Sequence, residues 1–284
     1  MLPLKDNIAT RRFPVITVAL IVINVAMFFG FQHAHWNGHG FAVSESNTIK
    51  YAFIPYKLTH IGKKCGEIGT LAGGPEVVNP DQVLCQGKVA TGVDRVTGQV
   101  VGPGTVTSVK PKHQPSVLLT ILTAMFMHGG LLHIAGNMLF LWIFGNNVED
   151  SMPRPVFVAF YLMGGLAATL LQTAVGPNST VPNLGASGAI AAVLGGYALL
   201  YPRARVVTLV FIVFFVTLLE LPALLVLGFW FVLQVLDGAQ SAGGAQGGVA
   251  YFAHIGGFLF GLATIKLLAH RAHDDYSQPK LPVY

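Results

Sequence analysis

Between Pro14 and Phe31 the chain has no charged residue, and the same holds from Val156 to Val175 and from Ala186 to Tyr201. Runs of about 20 apolar residues cross a bilayer as helices, because a backbone in hydrocarbon must satisfy its own N–H and C=O groups. Composition agrees. Hydrophobic residues make up 53% of the 284 and charged residues 10%, where a soluble domain carries about 25% charged. The expected class is an all-α polytopic membrane protein. Spans are expected near 14–32, 131–146, 156–175, 186–201 and 250–269, with one more inside 206–236.

Between the spans, residues 33–115 are polar, rich in Gly, Pro and β-branched residues, and without a helical period. They read as a large loop or small β-rich insertion after the first span, within a membrane domain of residues 14–270. Residues 116–128 read as loop at the membrane surface, and 146–155 as a polar turn. The first apolar run lacks a small-residue cleavage site and reads as a span rather than a signal peptide. Cys65 and Cys85 share the polar segment. If it faces an oxidising compartment they are expected to pair, which would stabilise the closed loop by roughly 3 kcal/mol.

The stretch Val206 to Leu236 is interrupted by Glu220-Leu221-Pro222 and is too short for two spans with a turn. Its first half is dense in Val, Phe, Ile and Thr, which suits a hairpin or an interfacial segment. Pro222 suits the start of a helix. With one span here, Arg11, Arg12, Arg154, Arg203, Arg205 and Arg271 fall on one side, as the positive-inside rule requires. The cytoplasmic side would then hold the N-terminal residues 1–13 and the tail 271–284. The net charge of +5 reads as an orientation signal and lipid-headgroup contact, not as nucleic-acid binding.

In this arrangement four polar residues reach one depth. Ser187 begins a small-residue helix in Gly185-Ala186-Ser187-Gly188, and His254 lies in Ala253-His254-Ile255-Gly256-Gly257. His133 and Asn137 are i, i+4 neighbours and face one way. Gly257 and Gly261 line the face of His254, and Gly188 the face of Ser187. Such stripes let two backbones approach closely in lipid. A hydroxyl is a weak nucleophile until a base takes its proton, and His254 can be that base. His133, Asn137 and the Ser187 N–H could stabilise the oxyanion of an acyl-transfer intermediate. His128, just outside its span, would support the polar pocket or its water supply. No carboxylate offers itself as a third member, so the expected site is a dyad. Each residue alone has a plainer reading, as packing serine or interhelical glue, and it is their agreement in depth that points to chemistry.

The segments Phe126-Met127-His128-Gly129-Gly130-Leu131-Leu132-His133-Ile134-Ala135-Gly136-Asn137, Gly185-Ala186-Ser187-Gly188 and Ala253-His254-Ile255-Gly256-Gly257 with Gly261 resemble, in order, the motifs of the rhomboid intramembrane serine proteases. The resemblance implies a six-transmembrane-helix rhomboid-like bundle with a large extracytoplasmic loop after helix 1. It implies Ser187 as nucleophile and His254 as base, with His133, Asn137 and the Ser187 N–H at the oxyanion. It implies transmembrane protein substrates, no cofactor and no metal. A bacterial plasma membrane is the expected setting, with the active site near the extracytoplasmic side. Two positions depart from the family pattern. Leu119 and Thr120 stand where many members carry Trp-Arg, and Ala191 where many carry an aromatic that packs on the histidine. A non-catalytic rhomboid-like protein that binds membrane clients is the alternative.

Overall fold

A computed structural model describes residues 2–36, 38, 41–79, 82–212, 215–242 and 249–270. The tail expected over 271–284 lies outside the described residues. In chain order the helices are α1 (Val15–Ala26, extended by a π turn Met27–Phe31), α2 (Glu45–Tyr51), α3 (Pro55–Thr59), α4 (Val117–Ala124), α5 (Leu131–Phe140, continued through a π turn Leu141–Gly145), α6 (Asn146–Asp150), α7 (Arg154–Val175), α8 (Ser187–Leu200), α9 (Ala223–Ala242) and α10 (Tyr251–Leu268). The strands are β1 (Leu2–Asp6), β2 (His35–Trp36), β3 (Phe41–Ala42), β4 (Cys65–Gly66), β5 (Ile68–Leu71), β6 (Glu76–Val78), β7 (Leu84–Cys85), β8 (Val89–Asp94), β9 (Val100–Lys110), β10 (Arg205–Ile212) and β11 (Phe215–Pro222).

Four helices among the described residues are long and apolar enough to cross a membrane: Leu131–Asp150, Arg154–Val175, Ala223–Gln240 and Tyr251–Leu268. Val15–Phe31 and Ser187–Leu200 are apolar but shorter. The strands correct the expected all-α class. Separately, α4 is a helix where surface loop was expected. Ser116 caps it by accepting the Leu119 N–H at 3.3 Å. The polar turn expected over 146–155 is instead helical through Asp150, because its acidic side chains are satisfied elsewhere in the fold.

The chain divides into two compact units, one of residues 1–25, 132–171 and 186–284, the other of 26–131 and 172–185. In the first, α8 is the central helix, buried at every position from Gly188 to Ala198. It packs on α10 and α7 through residues with almost no side chain. A Cβ on Gly257 would overlap the Gly188 carbonyl, and one on Gly261 the Ala192 carbonyl. A Cβ on Gly188 would lie 2.6 Å from Cβ of Ala168. Gly185 stands just before this packing. It precedes the helix at φ +129°, a left-handed turn conformation that favours glycine.

At the far end of this unit β10 and β11 form an antiparallel hairpin, from Arg205↔Pro222 to Ile212↔Phe215. Strand β1 adds to its edge, pairing Leu2 with Leu209 and Asp6 with Val206. Val206, Thr208 and Val210 on β10 are buried while Val216 and Leu218 on β11 are exposed. Charged groups gather here. Arg12 pairs with Asp150 at 3.0 Å and donates to the carbonyls of Glu149, Asp150 and Met152. The Glu149 carboxylate accepts the N–H groups of Ile16 and Thr17 and the Thr17 hydroxyl, at 2.7–3.0 Å. It thereby caps the first turn of α1, whose N–H groups have no helical partner.

In the second unit, β5, β6, β8 and β9 close into a small antiparallel barrel. Its core is Leu71, Val77, Leu84, Val106 and Val109. Beside it, β4 pairs with β7, and the facing Cys65 and Cys85 are joined by a disulfide. Phe53 and Asn183 exchange backbone hydrogen bonds at 3.1 and 2.7 Å, tying the 172–185 loop to the start of α3.

Candidate active site

Ser187 is the first residue of α8, and His254 lies in the first turn of α10. The glycine contacts between the two helices set their backbones close enough for His254 Nε2 to reach Ser187 Oγ at 2.7 Å. Both residues are half-buried. The first three N–H groups of α8, on Ser187, Gly188 and Ala189, have no carbonyl behind them within the helix. The positive end of the helix dipole therefore points at the serine, and negative charge developing there is favoured.

His133 and Asn137 lie on α5 in the same unit. His133 is exposed at the start of the helix. Asn137 is buried and donates one amide hydrogen to the His133 carbonyl at 3.0 Å. A primary amide has a second hydrogen to offer.

His128 belongs to the other unit, where it is wholly buried. Gln32 clamps its backbone from both sides. The His128 N–H donates to Gln32 Oε1 at 2.8 Å, and Gln32 Nε2 donates to the His128 carbonyl at 2.9 Å.

Two residues that the sequence did not single out for the site complete the surroundings of His254. Gln234 on α9 is buried, and its Oε1 lies 2.6 Å from His254 Nδ1. The Trp230 ring sits 5.7 Å from the imidazole, tilted by 36°. Trp230 thus supplies from α9 the aromatic neighbour that Ala191 does not supply from α8. The signal was present, since Gln234 is the only polar side chain between Ala223 and Leu236, and Trp230 stands four residues before it on the same face. The aromatic run Phe229, Trp230 and Phe231 does not all face outward. Phe229 is exposed, whereas Phe231 stacks on Phe258 with centroids 4.5 Å apart.

A family model described as the Rhomboid domain matches residues 115–271, more than half of the chain. The chain belongs to the rhomboid family. Among similar proteins are Rhomboid protein 1, mitochondrial, of Saccharomyces cerevisiae, 29% identical over 51% of this chain and 40% of its own length, and Presenilin-associated rhomboid-like protein A, mitochondrial, of Danio rerio, 32% identical over 48% and 37%. Rhomboid-like protein 11, chloroplastic, of Arabidopsis thaliana is 29% identical over 52% and 51%. The matched stretch spans about half or less of each relative. As a rhomboid the chain is an integral, multi-pass membrane protein in contact with lipid. Relatives named for mitochondria and chloroplasts give no support to the expected bacterial plasma membrane.

Proposed function

We propose that this rhomboid is an intramembrane serine endopeptidase that cuts transmembrane proteins in or beside their membrane segments. The observation that carries the reading is the 2.7 Å approach of His254 Nε2 to Ser187 Oγ, made between the first turns of two apolar helices. Six spans are read, the four long helices together with Val15–Phe31 and Ser187–Leu200. The termini are cytoplasmic, the 33–115 segment extracytoplasmic, and the chemistry near the extracytoplasmic surface. Supporting this orientation, Arg12 and Arg154 pair with Asp150 and Glu149 at the end of the first unit where α8 finishes. Ser187 opens the 14 residues of α8 at the opposite end, about 20 Å of helix away.

The chemistry follows from the geometry. Ser187 Oγ attacks the scissile carbonyl while His254 Nε2 takes its proton. Charge moves to the carbonyl oxygen, where the Ser187 N–H, the second Asn137 amide hydrogen and His133 serve as donors. His254 returns the proton to the leaving amine, and water then releases the acyl group by the same steps. Attack requires extended backbone, so substrates with helix-breaking or small residues near the cut are preferred. They approach beside α9, whose Phe229, Val232, Val235 and Leu236 face outward.

The test is reaction of the purified chain with a fluorophosphonate, alongside Ser187→Ala and His254→Ala. Labelling of the native chain that disappears in both variants is the expected result. A folded native chain that resists several such probes would overturn the reading in favour of client binding without catalysis.

A further inference from the structure

Resting on that protease reading, we propose that Gln234 is a positioning residue that fixes the tautomer of His254. Its amide carbonyl accepts the Nδ1 proton and so leaves Nε2 as the lone-pair acceptor for the Ser187 hydroxyl. A neutral imidazole carries one N–H, and the other nitrogen accepts. Both nitrogens of His254 are engaged, Nδ1 with Gln234 Oε1 at 2.6 Å and Nε2 with Ser187 Oγ at 2.7 Å. A hydroxyl both donates and accepts, so Ser187 does not choose between the tautomers. The choice falls to whichever end of the Gln234 amide faces the ring.

That end is selected one helical turn away. Gln234 Nε2 donates to the Trp230 carbonyl at 3.4 Å. Turning the amide over would set Oε1 against that carbonyl oxygen, two acceptors facing each other. It would also present Nε2–H to Nδ1, drive the ring proton to Nε2 and remove the base. The Trp230 carbonyl, the Gln234 amide, the imidazole and the serine hydroxyl therefore form a chain of hydrogen bonds with one consistent direction. The indole of the same Trp230 lies against the ring and limits its rotation. An amide suits this place better than the carboxylate of a soluble triad. It offers the same acceptor without the cost of burying a charge in the bilayer.

The experiment uses the full chain labelled with 15N-histidine, as native protein, Gln234→Leu, Gln234→Asn and Gln234→Glu. It reads the ring nitrogens of His254 by NMR, and kcat and KM on a transmembrane substrate. The native protein is expected to hold the Nδ1–H form. Gln234→Leu should release it to a mixture, with kcat down about 10²-fold and KM little changed. Gln234→Asn, one methylene short of the ring, should do the same and stands in if the leucine variant does not fold. Gln234→Glu also presents an acceptor and should recover the Nδ1–H form. The inference is overturned by a native Nε2–H form, or by Gln234→Leu and Gln234→Asn keeping the native tautomer. The spectra need no substrate. A native chain that cleaves nothing yet shows a Gln234-dependent Nδ1–H would therefore sink the protease reading and leave the tautomer assignment standing.

Discussion

A serine inside a membrane helix ordinarily bonds the carbonyl one turn behind it. Ser187 has no helical turn behind it, because α8 starts there, so its hydroxyl is left for His254. Asp6 shows the opposite use of a polar group, as a buried tether. Its Oδ2 accepts from Asn147 Nδ2 at 2.6 Å and from the Tyr197 hydroxyl at 2.7 Å, and burial pushes its carboxyl up to about 7. The folded state then holds this proton more tightly than the unfolded one. The stabilisation is complete below the unfolded value near pH 4 and is lost as pH rises through about 7. We expect the melting temperature in detergent to fall between about pH 5 and about pH 7. Asp6→Asn, which keeps an acceptor for both donors, should flatten that slope. Glu76, held down chiefly by Lys110, and Asp94, held down by the N–H groups of Thr97 and Val96, act only in more acidic solution and leave this window clear. Ser187 and His254 were legible in the sequence because polar groups are rare in apolar spans. Gln234 was equally rare, but an amide in a span also reads as interhelical glue, and only its contact with Nδ1 tells the two apart. Asp6 gave no signal, since its partners lie 141 and 191 residues away.

Among the elements, the α8–α10 pair decides the spacing of the candidate dyad. Gly257→Val would drive a branched side chain into the Gly188 carbonyl. Overpacking of this kind costs about 1–3 kcal/mol. Here we expect it to part the helices as well, so that fluorophosphonate labelling falls more steeply than thermal stability. Measuring both on one preparation checks this. The hairpin β10–β11 could be anticipated from its β-branched density, and the start of α9 from Pro222. The helix α4 was hidden because Gly129-Gly130 breaks the apolar run, although its cap at Ser116 was there to be read. The helical turn α6 was hidden for a different reason. Glu149 and Asp150 would face water in a loop, yet they are buried against α1 and Arg12, partners far away in sequence.

Over the whole molecule, apolar run lengths indicated a membrane protein and motif order indicated its family. The barrel was legible only as a segment without helical period, since strand pairings such as Gly69↔Val109 join distant residues and leave no local pattern. Its disulfide closes a 20-residue separation, which is worth roughly 3 kcal/mol. Replacing both cysteines by serine should therefore speed hydrogen exchange across β5, β6, β8 and β9, measured by mass spectrometry with native protein as the reference. The glycine contacts in the bundle bear on how the protein meets different bilayers. The gap between Ser187 and His254 is set by main chain touching main chain, not by side-chain rotamers. Helices answer a change in hydrocarbon thickness by tilting, at a cost of fractions of a kcal/mol per ångström. Such tilts are absorbed where side chains form the cushion, as between α9 and α10. The α8–α10 pair has no cushion to compress, so it travels through thin and thick membranes as one rigid strut.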